Sequence, residues 1–528
     1  MLDCSRLCVD KKTMPRLYKY IFYGLIFLHH SCSDVGKTKN NTFTIATYDD
    51  VKDWDPATAF SLETLPMANI YEPLLWYDAN GDKPRFISGL AKDYTKSKDG
   101  LVWTFKLRDS VYFHDGSQFN ANSLRQIIER NRTLKRGASY IWSSIASVIV
   151  DNEHQITFKL KEPIPFDRVV SSQYGAWIYS PQLLNKDILK NKSGYASGTG
   201  PYILKEWVKN SHIILEKNKN YWRGWPQNNH FEIIHIKVVS EASTRIQMLK
   251  KGLADYAVLI PAHLLKSISL NRDIAIADYP SWVNHFYLLN TEKPPTNNLW
   301  VRRAIASSFD RGVLVDHVYL KTATEANGVL PHSLPLVSPP DSLISFSLQK
   351  AKEYFKRSGE KEGVEVDLSY VSTSEEYRLT SLMLLDNLRK TGMKLVIKPG
   401  LWTANWDKAR NIKTAPNIIS MAWWPTLSSP SDWFFGLYKS EENPLFNLSR
   451  FSSATVDSLI DQGWKNEATN PELSSGAYKK IQDILIDKCV VIPAVDINIR
   501  AVHRSDIVGL KSNPAYSTLS VYNLERKP

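Results

Sequence analysis

Groups that do chemistry at short fixed spacings leave a mark in sequence, and this 528-residue chain carries none of the common marks. There is no G-x-S-x-G elbow for a nucleophilic serine, no H-E-x-x-H pair for zinc, and no G-x-x-x-x-G-K-[ST] loop to cradle phosphate. Gly198-Thr199-Gly200 lacks the third glycine of a dinucleotide loop and runs into Pro201, which suits a turn. His230 and His235 stand five apart in an apparent strand, on opposite faces, and make poor joint ligands. Glu441 and Glu442 adjoin Asn443-Pro444 and read as solvated loop carboxylates rather than an acid/base pair. Triads assembled from distant residues leave no such mark. The expectation is a chain that binds and does not catalyse, with no cofactor and no metal.

The four cysteines, Cys4, Cys8, Cys32 and Cys489, form no CxxC and no readable disulfide framework or zinc site. Cys489 runs into Val490, Val491 and Ile492 and reads as core. The surplus is aromatic, with 16 Trp and 25 Tyr. Most belong in cores; the remainder suits a cleft, where flat rings offer contact area at low entropic cost. The net charge of +12 is dispersed, with Arg125, Arg130, Arg132, Lys135 and Arg136 almost the only cluster. No nucleic-acid motif accompanies them, so the excess reads as a solvated surface facing an anionic envelope.

The elements that must position any site follow from periodicity. The length calls for more than one lobe. Thr42–Tyr48 alternates as a strand, and Pro66–Leu75 fits a helix. Leu101–Leu107 and Gln155–Leu160 place Trp103, Phe105 and Leu107, and Ile156, Phe158 and Leu160, at period two, as strands of one small sheet. Asn122–Leu134 between them has helical spacing, which makes this region an α+β lobe. Past Pro339-Pro340 the pattern alternates: strand Val364–Val371, helix Glu375–Lys390, strand Met393–Ile397, helix Trp402–Arg410, strand Asn417–Ala422. That is the signature of an α/β lobe with crossover helices. Two more helices are expected at Val456–Trp464 and Tyr478–Lys488.

The N-terminal segment reads as an address. Arg16 and Lys19 precede the apolar run Ile21–Leu28, then His29-His30-Ser31-Cys32 and a polar stretch. This resembles a bacterial lipoprotein signal with Cys32 as the lipidated residue, although His29 stands where such signals usually carry Leu. Met14 is a plausible true start. No later segment approaches the ~18 consecutive apolar residues of a membrane helix.

A set of ordered pieces carries a wider resemblance: Trp54-Asp55-Pro56, Asn69-Ile70-Tyr71-Glu72-Pro73-Leu74, WTFKLRDSVYFHDG (103–116), GTGPYILKEW (198–207), Tyr221-Trp222, LKKGLAD (249–255), Asn290-Thr291, Val301-Arg302-Arg303-Ala304 and Ile492-Pro493. From about residue 43 onward the chain resembles the solute-binding proteins of oligopeptide, dipeptide and nickel ABC importers. The resemblance implies an α/β two-lobed clamp with an additional α+β domain inserted in the first lobe. The expected divisions are a signal segment at 1–32, a tether at 33–41, lobe I at 42–66, 186–282 and 501–528, the insertion at 67–185, and lobe II at 283–500. It also implies a monomeric, lipid-anchored receptor outside the cytoplasm. Such a receptor passes peptides to permease and ATPase subunits on other chains and binds no nucleic acid. Gly198 and Gly200 are expected to allow a strand to enter the sheet between the lobes.

Carried over position by position, the resemblance places Phe60, Ser61, Leu62 and Glu63 against the ligand, with Tyr140 and Trp424 in the cleft and Trp402 or Trp406 as a second cleft tryptophan. One departure stands out. Peptide-binding relatives carry Trp-x-x-Asp, and their Asp holds the α-amino group; here Leu427 occupies that place. A leucine cannot pair an ammonium. The ligand is therefore expected to be N-blocked, internally linked or not a peptide, unless Asp432 or Asp496 supplies the missing acid. The alternatives are a metal-chelate receptor of the same fold, a surface adhesin or chaperone-like protein, or a secreted hydrolase.

Overall fold

The computed structural model describes residues 41–59, 63–80, 84–134, 137–184, 195–226, 230–516 and 518–527. The expected signal segment, Cys32, and the candidate ligand residues Phe60, Ser61 and Leu62 lie outside them.

Among the described residues the largest sheet runs through both lobes. Its order is Met393–Gly400, Val364–Val371, Ile418–Trp423, Ile274–Leu289, Val491–Arg504, Tyr256–Ala257, Thr42–Thr47, Ile233–Val238, His212–Lys217, Tyr202–Val208, with Ala323–Glu325 added on Val491–Arg504. The first three strands belong to lobe II and the last five to lobe I. The expected α/β alternation is present. Val364–Val371 and Met393–Gly400 pair in parallel, joined by the helix Glu375–Thr391. The Ser374 hydroxyl accepts from the Tyr377 amide at the start of that helix, and Gly392 ends it at φ 93°.

The insertion is also as read. Val102–Leu107 and Gln155–Leu160 are antiparallel neighbours in a four-stranded sheet, with Trp103 opposite Phe158 and Phe105 opposite Ile156. Their shared face is covered by the helix Ala121–Leu134, which buries Leu124, Ile127 and Ile128. Arg130 on that helix donates to both oxygens of buried Asp55 at 3.1 and 2.6 Å, which ties the insertion to the Trp54-Asp55-Pro56 turn. Part of the basic cluster is thus internal rather than surface.

Two expectations need correction. The helix near residue 66 is Thr64–Ile70, and Leu75–Asp78 is a strand. Pro73 and Leu74 lie beyond the helix end at Ile70, where a proline readily follows a terminus. Gly198 and Gly200 do make a close approach, but not between lobes. A Cβ on Gly198 would sit 2.1 Å from the Ile70 carbonyl oxygen, at the end of that helix. The strands that pass between the lobes are Ile274–Leu289 and Val491–Arg504, antiparallel along most of their length. Their pairing slips twice: Pro280, Ser281 and Trp282 stand opposite the single residue Asn498, between the pairs Tyr279–Ile499 and Val283–Ile497, and Ala494 is extra between the pairs His285–Val495 and Phe286–Pro493. Such a bulge bends the strand that carries it.

Candidate functional site

The lobes meet a second time through side chains, where the loop after strand Ile418–Trp423 faces the insertion. Asp432 organises that loop from the start of the helix Ser431–Leu437. Its Oδ2 accepts from the Trp423 indole at 2.9 Å and the Thr426 amide at 3.0 Å, and its Oδ1 from the Leu427 amide at 3.2 Å. Burial pushes its carboxyl up to about 6, with these donors pulling the other way. From the insertion, the Tyr140 hydroxyl reaches the same carboxylate and Thr426, and burial together with the Asp432 charge raises its pKa. Half of the tyrosine is exposed while its hydroxyl end is enclosed.

Two neighbours complete the contact. The Ser172 hydroxyl donates to the Thr426 carbonyl at 2.5 Å, and the Gln173 amide to the Pro425 carbonyl at 3.0 Å. Leu427 is 6 % exposed and joins the apolar cluster of lobe I and the insertion, which includes Ala57, Ala59, Trp142 and Trp177. Beside this contact, Arg168 of the insertion stands 3.6 Å from Glu467 of lobe II, and its guanidinium lies over the Tyr77 ring. Glu467 also accepts from the Ser429 and Tyr478 hydroxyls, and burial raises its pKa.

The remaining predicted residues are dispersed. Trp424 is 45 % exposed at the loop's outer edge. Trp402 and Trp406 lie on the helix Trp402–Arg410; Trp406 donates to the Leu445 carbonyl at 2.7 Å and packs on Phe446, whose ring meets Trp423. Glu63 is buried and accepts from the Lys52 and Asp53 amides at 3.0 and 3.3 Å, which fastens the turn before Trp54. Asp496 lies on the second crossing strand, opposite Asn284, with His332 on its Oδ2. Tyr140, Leu427 and Asp432 are thus brought together, and Trp402, Trp406, Glu63 and Asp496 stand apart from that contact. Sequence reading missed Ser172, Gln173, Arg168 and Glu467. The only mark of the first two is a polar run, Ser171-Ser172-Gln173, between the apolar pairs Val169-Val170 and Tyr174-Gly175.

Among the described residues no group of three or more His, Cys, Asp or Glu is placed to hold a metal, and no helix is long and apolar enough to cross a membrane. An open polar concavity of about 290 Å³ is lined by Glu292, Glu441, Arg450 and neighbours, none of them a residue of the interlobe contact.

Two lobes on paired crossing strands, with a side-chain seam opposite, have the architecture of a two-lobed clamp. The family model for bacterial extracellular solute-binding proteins, family 5, matches residues 85–444, and the chain belongs to that family. It is a substrate-binding receptor of an ABC importer, located outside the cytoplasm, in a family of binding proteins rather than enzymes. It is 24 % identical over 452 residues to the probable D,D-dipeptide-binding periplasmic protein DdpA of Escherichia coli K12, covering 84 % of this chain and 86 % of the relative. It is 27 % identical over 437 residues to the glutathione-binding protein GsiB of the same organism, covering 80 % and 82 %. Among solved structures, the dipeptide-binding protein of Pseudoalteromonas sp. SM9913 in complex with Met-Leu superposes with a TM-score of 0.80 at 21 % identity, covering 92 % of this chain and 100 % of that one. The murein tripeptide-binding protein MppA of E. coli does so with a TM-score of 0.78 at 19 % identity, covering 92 % and 98 %.

Proposed function

We propose that the chain captures peptides or modified peptides and hands them to a permease and ATPase on other chains. The observation that carries this reading is the main chain of Pro425–Leu427 at the seam. Its carbonyls are met by Gln173 and Ser172 of the opposite lobe, and its amides by Asp432. These side-chain contacts to a short stretch of main chain can be exchanged one by one for those of a ligand, which suits an extended peptide held by main-chain hydrogen bonds, with tolerance for its side chains. The D,D-dipeptide, glutathione and Met-Leu in the relatives' names support the same class.

In this reading Phe60–Glu63 and Tyr140 meet the ligand from the side of lobe I and its insertion, and Trp424, Leu427 and Asp432 from lobe II, with Trp402 or Trp406 behind. The lobes swing about the register slip at Pro280–Trp282, which puts the divisions after residues 282 and 500. Cys32 is the lipid-bearing residue, and the receptor works as a monomer.

The test is solution scattering and thermal denaturation with a pool of short peptides. The expected result is a smaller radius of gyration and a raised melting temperature. A saturable ligand that is not a peptide, with no peptide bound, overturns the ligand class. Cys32→Ala is expected to release the protein from membranes; retention on them sinks the anchor.

A further inference from the structure

The net charge of +12 is dispersed along the sequence, but one end of lobe I gathers cations without acids. Two turns lie there. Residues 217–226 (KNKNYWRGWP) close the strand His212–Lys217, and residues 250–253 (KKGL) close the helix Ala242–Lys250. Together they carry Lys217, Lys219, Arg223, Lys250 and Lys251 and no Asp or Glu. Lys219, Arg223 and Lys251 are exposed.

Strand register places both turns where the chain joins the fold. Thr42 pairs with Ile233, and the Asn41 carbonyl accepts from the Glu232 and Ile233 amides at 2.8 and 3.1 Å. Ile233 stands opposite Glu216, on the strand that leads into the first turn. On the other side of the strand Thr42–Thr47, the Asp255 amide donates to the Thr44 carbonyl at 2.8 Å, two residues past the second turn. Residues 1–40, with the candidate lipid-bearing Cys32, are therefore attached between the two turns.

This end is aromatic and apolar as well as basic. Ile233 and Leu253, beside that point of attachment, are 37 % and 54 % exposed. The guanidiniums of Arg108 and Arg223 lie over the Trp222 ring at 4.5 and 4.6 Å, and the Lys217 ammonium lies over Trp225 at 4.6 Å. Trp225 packs on Tyr522 at 5.2 Å, and all three rings are half-buried. Of the acids nearby, Glu232 pairs with Lys217 at 2.8 Å and Asp255 with Arg526 at 2.7 Å, and Glu525 stands opposite His230.

Half-buried Trp and Tyr rings flanked by cations and a few exposed aliphatic side chains suit a lipid–water boundary. Attraction of Lys and Arg to an anionic leaflet fades within a Debye length, so only cations held at the surface contribute. We propose that this end of lobe I, with Lys219, Arg223, Lys250 and Lys251, rests on the anionic phospholipid headgroups of the membrane. The inference rests on the anchor reading for bringing the membrane within reach, and goes beyond it by naming the face. The face adds orientation to the anchor rather than replacing it. Strand Thr42–Thr47 runs from this end toward the Trp54-Asp55-Pro56 turn and Glu63, so the lobe I residues assigned to the ligand lie at the far end of the strand from the lipid.

The experiment uses the full chain with Cys32→Ala, which carries no acyl group, co-sedimented at low ionic strength with two kinds of vesicle. One is phosphatidylglycerol and phosphatidylcholine in equal parts, the other phosphatidylcholine alone. This parent chain is expected to partition about tenfold or more in favour of the anionic vesicles, and added salt to abolish the preference. Lys219→Glu, Lys250→Glu and Lys251→Glu together are expected to lower the preference about tenfold. Lys350→Glu, Lys352→Glu and Lys356→Glu make the same charge change at exposed positions of the lobe II helix Leu348–Ser358. They are expected to leave the preference within about twofold of the parent. Glutamine at the three lobe I positions is expected to give a smaller loss, and keeps the test should the reversed variant not fold. Equal losses in the lobe I and lobe II variants overturn the inference, because net charge alone then accounts for binding. An unchanged preference in the lobe I variants overturns it too. No anionic preference in the parent chain also overturns it and leaves the face to a protein partner. None of these outcomes decides the anchor, which membrane fractionation of Cys32→Ala cells tests separately.

Discussion

The lobes are joined at two places, and the two are built from different materials. At the hinge, two long strands pass from one lobe to the other, and their pairing is main chain to main chain apart from the slips at Pro280–Trp282 and at Ala494. At the seam, the contact is made by single side chains: Tyr140, Ser172, Gln173 and Arg168 on one side, and Asp432, the Pro425 and Thr426 carbonyls and Glu467 on the other. Backbone ladders are cooperative and lost only on unfolding. Side-chain contacts of about 1 kcal/mol each can be exchanged for water or for a ligand one by one. A clamp needs that division: one junction that persists in every state, and one that forms and breaks.

The comparison predicts which substitutions unfold the chain and which only open it. The largest effect belongs to the hinge. Trp282 is buried, and its indole donates to the Ser333 carbonyl at 3.2 Å. Trp282→Ala is expected to cost about 3–5 kcal/mol of global stability in denaturant unfolding. A variant of normal stability and larger radius of gyration would break the comparison, because it would make the hinge as yielding as the seam.

Glu467 tests the seam at its most buried point. Glu467→Ala leaves Arg168 without its carboxylate, a loss of about 3 kcal/mol if the guanidinium stays buried. The expected response is opening, which rehydrates Arg168. The radius of gyration should rise while most of the unfolding free energy is kept. Loss of about the full 3 kcal/mol on global unfolding, with no expansion, would show that the seam does not open.

Asp432 makes the seam sensitive to pH. Its carboxyl is pushed up to about 6 from an ordinary 3.8, because burial disfavours the charged form. A raised folded-state pKa favours the closed, protonated form at low pH. That contribution is whole below pH 3.8 and is lost as pH rises through about 6. Stability measured across this window should fall as pH rises through it, and Asp432→Asn should flatten that part of the curve. An unchanged slope in the variant would assign the pH dependence elsewhere.

The smallest expected effect is at Gln173, whose amide meets the Pro425 carbonyl. Gln173→Ala should cost about 1 kcal/mol, seen as a lower melting temperature of the closed form and little change in the denaturant slope. A shift as large as that of Trp282→Ala would mean that the seam is structural rather than exchangeable.

What could be read from the chain alone follows the physics of repetition. The insertion's strands and lobe II's alternation were legible because each buries one face at a constant period: Trp103, Phe105 and Leu107 every second residue, and the Glu375–Thr391 helix between Ser374 and Gly392. The crossing strands were not. Along Ile274–Leu289 the residues from Ala275 to Pro280 are all partly or fully exposed and the last nine are all buried, so no single period covers it. The motifs from Trp54-Asp55-Pro56 to Ile492-Pro493 identified the family because they are local. The seam was only partly visible. Tyr140, Leu427 and Asp432 could be named from position, but Arg168, Ser172 and Gln173, close together in one stretch of the insertion, and Glu467, after a helix of lobe II, are unremarkable polar residues.

Sequence by itself determined the two-lobed α/β class, the absence of the common catalytic motifs, and the leucine at residue 427. Only the tertiary structure decided how the acids are used. Asp432 and Asp496 are alike as letters, and the hydrogen bonds around them make one a saturated loop clasp and leave the other with a bare oxygen. Hydrogen-bond saturation is a property of the neighbours that folding delivers, over separations as long as the 164 residues between His332 and Asp496, and no local pattern encodes it.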